Sequence, residues 1–203
     1  MANNPRGFVP TRHLSGSVSF RTNRYSVSAN NPTAIMVGKA VLLNDDGHVR
    51  VVRTSGGSAN ERGVLGVVRS IYNSNGRPLT HNLPNTANIL PASTAGYVDG
   101  IYDPDVVFLV DADASATQAN IGQYVRVTAG SDITAAGIPG WSVRIADASA
   151  SAVGHKFMIV GLGPNEQLDT VGEGAFQGLT HPDVEVIISD HHFRRAFKRV
   201  GVY

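Results

Sequence analysis

Residues 33–53, Thr33-Ala34-Ile35-Met36-Val37-Gly38-Lys39-Ala40-Val41-Leu42-Leu43-Asn44-Asp45-Asp46-Gly47-His48-Val49-Arg50-Val51-Val52-Arg53, decide the fold class. Two short apolar runs, at 34–37 and 40–43, stop at the polar group Asn44-Asp45-Asp46-Gly47. An Asp-Gly pair between apolar runs predicts a hairpin, because the two-residue mirror-image turn needs residues that accept positive φ. Residues 48–53 (HVRVVR) then alternate with period two. Val49 and either Val51 or Val52 face a core, and the arginines face water.

The same style continues outward. Residues 64–68 (VLGVV) read as a strand, with Gly66 marking a bulge or a close backbone approach. Ile71 and Tyr72 lead to a second turn at Asn75-Gly76, and residues 77–95 hold no clear element. Residues 105–111 (DVVFLVD) form a buried-strand run, and 124–127 (YVRV) alternate. Residues 141–145, 156–160 and 184–188 are further strands, whereas 112–120 (ADASATQAN) support a short helical turn at most. Many short strands separated by turn signals predict an all-β fold, a barrel or sandwich of short antiparallel strands. An internal echo, Val37-Gly38-Lys39-Ala40-Val41 against Ile121-Gly122-Gln123-Tyr124-Val125, is compatible with two similar halves or with chance in a Val/Gly-rich chain.

Residues 1–32 have little periodicity but carry Phe8, Val9, Leu14, Phe20 and Tyr25. Apolar anchors on an aperiodic segment predict an extended arm lying on its own domain or on another subunit. The expected organisation is an arm (1–32), a body (33–192, divisible near 95/96) and a short basic tail (193–203).

Composition bounds the function. The chain has 203 residues, 42% hydrophobic and only 16% charged, with no cysteine. That removes disulfides, thiol nucleophiles and cysteine-ligated metals. No apolar run reaches the roughly 20 residues of a membrane helix. The N-terminus has no apolar signal-peptide region, so a soluble, non-secreted chain is expected. The net charge of +1 is unevenly spread. The first 44 residues carry five bases and no acid, and the last eleven carry four bases and no acid. All 16 acids lie between, with eight bases. An acidic body is poorly suited to tracking phosphates. Basic ends suit an acidic protein surface or nucleic acid, and the ordinary alternative is a solvated tail. Arginine outnumbers lysine 14 to 3, which favours interfaces.

The sequence carries few groups arranged for chemistry. The chain holds none of the nucleophile-elbow, zincin, P-loop or dinucleotide motifs. Gly161-Leu162-Gly163-Pro164 reads as a turn. Asp111, Asp113 and Ser115 loosely resemble a calcium loop, but Ala116 and Gly122 stand where glycine and glutamate are needed. Asp103 and Asp105 read as turn residues. His191 and His192 are adjacent, so on a strand they face opposite ways and do not share a metal. No catalytic residue, cofactor site or metal site is expected. In the tail, Phe193, Phe197 and Val200 share one face if helical, amid Arg194, Arg195, Lys198 and Arg199. This is a docking pattern that suits protein, nucleic acid or a membrane surface.

Five stretches together resemble a known family. Asn4-Pro5-Arg6-Gly7-Phe8-Val9-Pro10-Thr11-Arg12-His13-Leu14-Ser15-Gly16 resembles an opening NPxGFxPxRHxxG. Residues 61–68 (ERGVLGVV) are similar to xxGVxxGx, and 72–78 (YNSNGRP) to YxxxxGxP. Residues 96–108 (GYVDGIYDPDVVF) are similar to xYVxDDPDxxF, with Gly100-Ile101-Tyr102 departing from it. Residues 184–193 (VEVIISDHHF) are similar to an ending VxxxxHxF. The family is that of the head decoration, or cement, proteins of tailed bacteriophages. The resemblance spans residues 4 to about 193, and nothing carries over to the tail.

It implies a β-rich, non-enzymatic subunit without cofactor or small-molecule substrate, on the virion capsid surface after assembly in the host cytoplasm. It implies two partners: the major capsid protein, and further copies of the chain in a homo-oligomer, with a trimer the first choice. Nucleic acid and membrane are not expected. The residues expected to bind the partner are Arg6, Phe8, Arg12, His13, Phe20, Phe193, Arg194, Arg195, Phe197, Lys198 and Arg199. The competing expectations are a head–tail junction or tail component, a nucleic-acid-binding barrel and a glycan-binding barrel.

Overall fold

The structure is a computed structural model, and it describes residues 7–16, 19–54, 63–79, 89–130, 132, 139–163 and 182–192. In chain order the first strands are β1 (Val9–His13), β2 (Thr22–Val27), β3 (Ile35–Met36), β4 (Ala40–Leu43), β5 (Val49–Val51), β6 (Val64–Asn73) and β7 (Ile89–Leu90). They are followed by β8 (Gly96–Ile101), β9 (Val106–Asp111), β10 (Tyr124–Ala129), β11 (Trp141–Ser149), β12 (Phe157–Leu162) and β13 (Asp183–Ile188). The described residues include one 3-10 turn, Gln118–Asn120.

The opening stretch pairs as its pattern predicts: Val41 lies opposite Val51, and Leu43 opposite Val49. The turn differs from expectation. Gly47 donates to the Asn44 carbonyl at 3.2 Å, and Asn44 donates to the His48 carbonyl at 2.8 Å. The second turn repeats this, with Gly76 donating to Asn73 and Asn73 to Arg77, both at 2.9 Å. Only the glycines are left-handed, at φ +79° and +75°. Each turn is therefore the three-residue hairpin loop that ends in a left-handed glycine, not the two-residue mirror turn.

Eleven of the strands form two antiparallel sheets packed as a sandwich, with no closed barrel among the described residues, and β3 and β7 pair as a separate two-stranded sheet. The five-stranded sheet runs β2-β8-β6-β4-β5, and the six-stranded sheet runs β1-β9-β13-β12-β10-β11. Each sheet curls. Ala112 bridges Val143 across the larger one, and the Ser26 hydroxyl meets His48 Nδ1 at 3.0 Å across the smaller.

Each half of the chain thus builds mainly one sheet. The division falls after β8, past Ile101, instead of at 95/96. The segment expected as an arm is extended but belongs to the body: β1 pairs with β9, and β2 with β8. The echo has a matching backbone. Gly38 and Gly122 share φ +85°. Gly38 donates to the Val68 carbonyl at 2.8 Å, and Val68 returns a bond to Lys39 at 2.9 Å. Gly122 and Ile159 do the same, with Ile159 returning to Gln123 (2.8 and 3.0 Å).

The core is rich in valine, as two facing sheets of short strands require. Its centre is aromatic. Phe8 stacks on Phe157 at 4.5 Å and meets Phe108 and Trp141 edge-on at 6.2 and 6.4 Å. After β13 the chain crosses between sheets: Val64 donates to the Asp190 carbonyl at 2.7 Å, and His191 bridges Val64 in parallel. Gly63 permits this crossing, since a Cβ there would stand 2.8 Å from the Asp190 oxygen.

Candidate functional site

The residues expected to meet a partner divide in two. Arg6 and the tail residues Phe193, Arg194, Arg195, Phe197, Lys198 and Arg199 lie outside the described residues. The other four make contacts within the body. Phe8 is 2% exposed and completes the aromatic centre, and Phe20 packs against the core. Arg12 Nη2 reaches Glu185 Oε2 at 2.7 Å, across β9 from β1 to β13. This hydrogen bond raises the Arg12 pKa further above its ordinary range. His13 Nε2 lies 3.3 Å from Asp103 Oδ2, and its Nδ1 lies 2.8 Å from Ser15 Oγ.

What remains outward-facing is the edge that β1 forms. It is the terminal strand of the six-stranded sheet, so its outer edge pairs with no other described strand. Val9 and Leu14 are 38% and 49% exposed there, next to the half-exposed Arg12. An open edge with apolar side chains is a template for a further strand, tempered here because Pro10 offers no N–H.

A second surface was not legible beforehand. Strand register aligns Arg24, Asp99 and Ser70 in one row and Ser26, Tyr97 and Tyr72 in the next. Arg24 grips Asp99 through Nε at 2.8 Å and Nη2 at 3.2 Å, and its guanidinium lies 3.9 Å from the centre of the Tyr72 ring. The Tyr72 hydroxyl donates to Asp99 at 2.6 Å. Arg24 and Tyr72 hold the Asp99 carboxyl below the usual carboxylate range, and the bond to Asp99 pushes the Tyr72 hydroxyl up. These residues are 27 and 75 positions apart, so only the β2-β8-β6 pairing brings them together.

A cavity of about 570 Å³ opens between β4–β5 and β10–β11, lined by Asn31, Lys39, Arg50, Arg53, Asp132 and Trp141 among others. Lys39 is 2% exposed, and its ammonium reaches Asp132 at 2.6 Å and the Ala34 carbonyl at 3.3 Å. It was expected among the basic N-terminal residues. It serves instead as a buried charge joining the two halves of the chain.

Comparison with family models, with curated proteins and with solved structures finds no match.

Proposed function

We propose that this chain is a capsid decoration protein of a tailed bacteriophage, cementing the major capsid protein lattice through the edge of β1 and the basic terminal segments. The observation that carries the reading is the open β1 edge. It is built from the motif Gly7-Phe8-Val9-Pro10-Thr11-Arg12-His13 and continues a basic, acid-free N-terminal segment. The ordered set of five family-like stretches supports it. A sandwich held by its own core, with a basic, acid-free segment at each end of the chain, suits a subunit that docks at many lattice points. On this reading the protein is a homo-oligomer, most simply a trimer, with the capsid protein as partner and no catalytic role.

The test is a pair of truncations that remove none of the contacts described above: deletion of residues 1–6 and deletion of residues 193–203. Each is incubated with capsids stripped of the protein. Both variants are expected to keep the native melting temperature, and at least one is expected to lose capsid binding. Full rebinding by the double truncation would refute the role of the terminal segments. Copy number separates decoration, with hundreds of subunits per particle, from a head–tail junction, with about a dozen.

A further inference from the structure

Two of the family-like stretches lie far apart in sequence yet meet in space. His13 closes β1, and Asp103 and Asp105 flank Pro104 in the corner between β8 and β9. Strand pairing sets His13 opposite Val106, and Leu14 donates to the Asp105 carbonyl at 2.9 Å. One imidazole nitrogen and one oxygen from each carboxylate all fall within 4.8 Å of one another, and all three residues are half-buried. This corner gathers two carboxylates beside one imidazole in a small space.

The separation of His13 Nε2 from Asp103 Oδ2 is informative. At 3.3 Å it is longer than a charge-assisted hydrogen bond, about 2.7–2.9 Å. The partly buried ion pairs Lys39–Asp132, Lys156–Asp190 and Arg12–Glu185 close to 2.6, 2.7 and 2.7 Å. A gap of 3.3 Å instead matches one edge of a tetrahedron whose centre lies about 2.0–2.1 Å from each ligand atom. The second imidazole nitrogen is also provided for. Nδ1 lies 2.8 Å from Ser15 Oγ and accepts from the Ser15 backbone N–H at 3.2 Å; a cation on Nε2 would move the ring proton to Nδ1, where Ser15 Oγ accepts it.

We propose that His13, Asp103 and Asp105 form a site for a divalent transition-metal cation, with Zn²⁺ the best match. Imidazole together with carboxylates selects this class, whereas Ca²⁺ and Mg²⁺ take all-oxygen shells. The three side chains supply three ligands and leave the fourth position to water or to a partner's side chain. The two carboxylates balance the charge of the ion. The bound ion ties the end of the edge strand β1 to the corner where the chain passes from the five-stranded sheet to the six-stranded one.

The experiment uses untagged full-length protein, stripped with chelator and titrated with Zn²⁺ by calorimetry and with Co²⁺ by visible absorption. The expected result is one ion per chain, a raised melting temperature and a Co²⁺ spectrum of tetrahedral intensity. His13→Gln and Asp105→Asn are expected to abolish uptake while keeping the circular dichroism of the parent. Ser15→Ala is expected to weaken it about tenfold, as loss of an outer-shell partner does. If His13→Gln does not fold, Asp105→Asn reads the same quantity. Absence of stoichiometric uptake by the parent protein would overturn the proposal. So would uptake undiminished in the folded variants, which would move the ion to other histidines.

Discussion

Phe8 shows how much one side chain can carry. It is 2% exposed and touches Phe157, Phe108 and Trp141, so truncation leaves a hole that three rings cannot fill. Phe8→Ala is expected to cost about 3–5 kcal/mol in urea denaturation; a loss below about 1 kcal/mol would mean the site collapses. At Asp99 the observable is pH dependence. Its folded pKa lies below the ordinary carboxylate value, chiefly through the hydrogen bonds from Arg24. A depressed carboxylate stabilises the fold above its unfolded pKa, about 3.9, and that contribution fades as pH falls through the folded value. The melting temperature of Arg24→Ala is therefore expected to lie below that of the parent at pH 7, and the gap to close as pH falls toward 2. Coincident curves would show that the pair is too well solvated to matter. Neither feature was readable beforehand. Phe8 stood out as an aromatic on an aperiodic segment, and nothing near it in sequence says that its partners lie 100 to 149 positions away.

At the level of elements, the strands were legible where hydrophobic alternation and turn residues agreed, as in β4–β5 and the end of β6. The turn geometry was not, because Asp-Gly and Asn-Gly fit both two-residue and three-residue loops. The difference has a measurable consequence. Gly47 is left-handed, and no atom lies within 4 Å of where a Cβ would stand, so only backbone conformation opposes substitution. Gly47→Ala is expected to lower stability by about 1 kcal/mol in chemical denaturation, and Gly47→Asn by less, since Asn visits that region more readily. Equal losses would point to a contact instead. β1 and β2 escaped detection for a different reason. Their exposure patterns lack alternation, because β1 is an edge strand and half of β2 faces water. Strand identity there depends on β9 and β8, which the local sequence does not encode.

Across the whole molecule, the two sheets are joined by more than their core. Lys39 precedes β4, the first strand of the β4–β5 hairpin, and its ammonium reaches Asp132 in the other half of the chain. Removing one member of such a pair leaves the other charge without compensation. Lys39→Ala is expected to cost on the order of 3 kcal/mol, near the lower end of the usual range because the Asp132 side chain stays 26% exposed. Lys39→Met keeps the volume and the packing on Trp141, so its loss is expected to be smaller; a Met variant as unstable as the Ala variant would show that charge alone matters. Composition placed Lys39 in a basic N-terminal set because charge counts carry no information on burial. The candidate site was legible only in part for a related reason. The basic terminal segments stand out in sequence, but the β1 edge and the Arg24–Asp99–Tyr72 surface arise from pairings that join distant segments.

The crossing at the end of β13 also bears on mechanics. Residues beyond His192 leave from a point where Asp190 accepts from Val64 of the five-stranded sheet, while the Lys156 ammonium holds the Asp190 carboxylate at 2.7 Å from the six-stranded one. A pull on the tail therefore loads both sheets at once. It must break bonds on each side of the seam before β13 can be unzipped from its neighbours, so a tether attached there shares its tension across the sandwich.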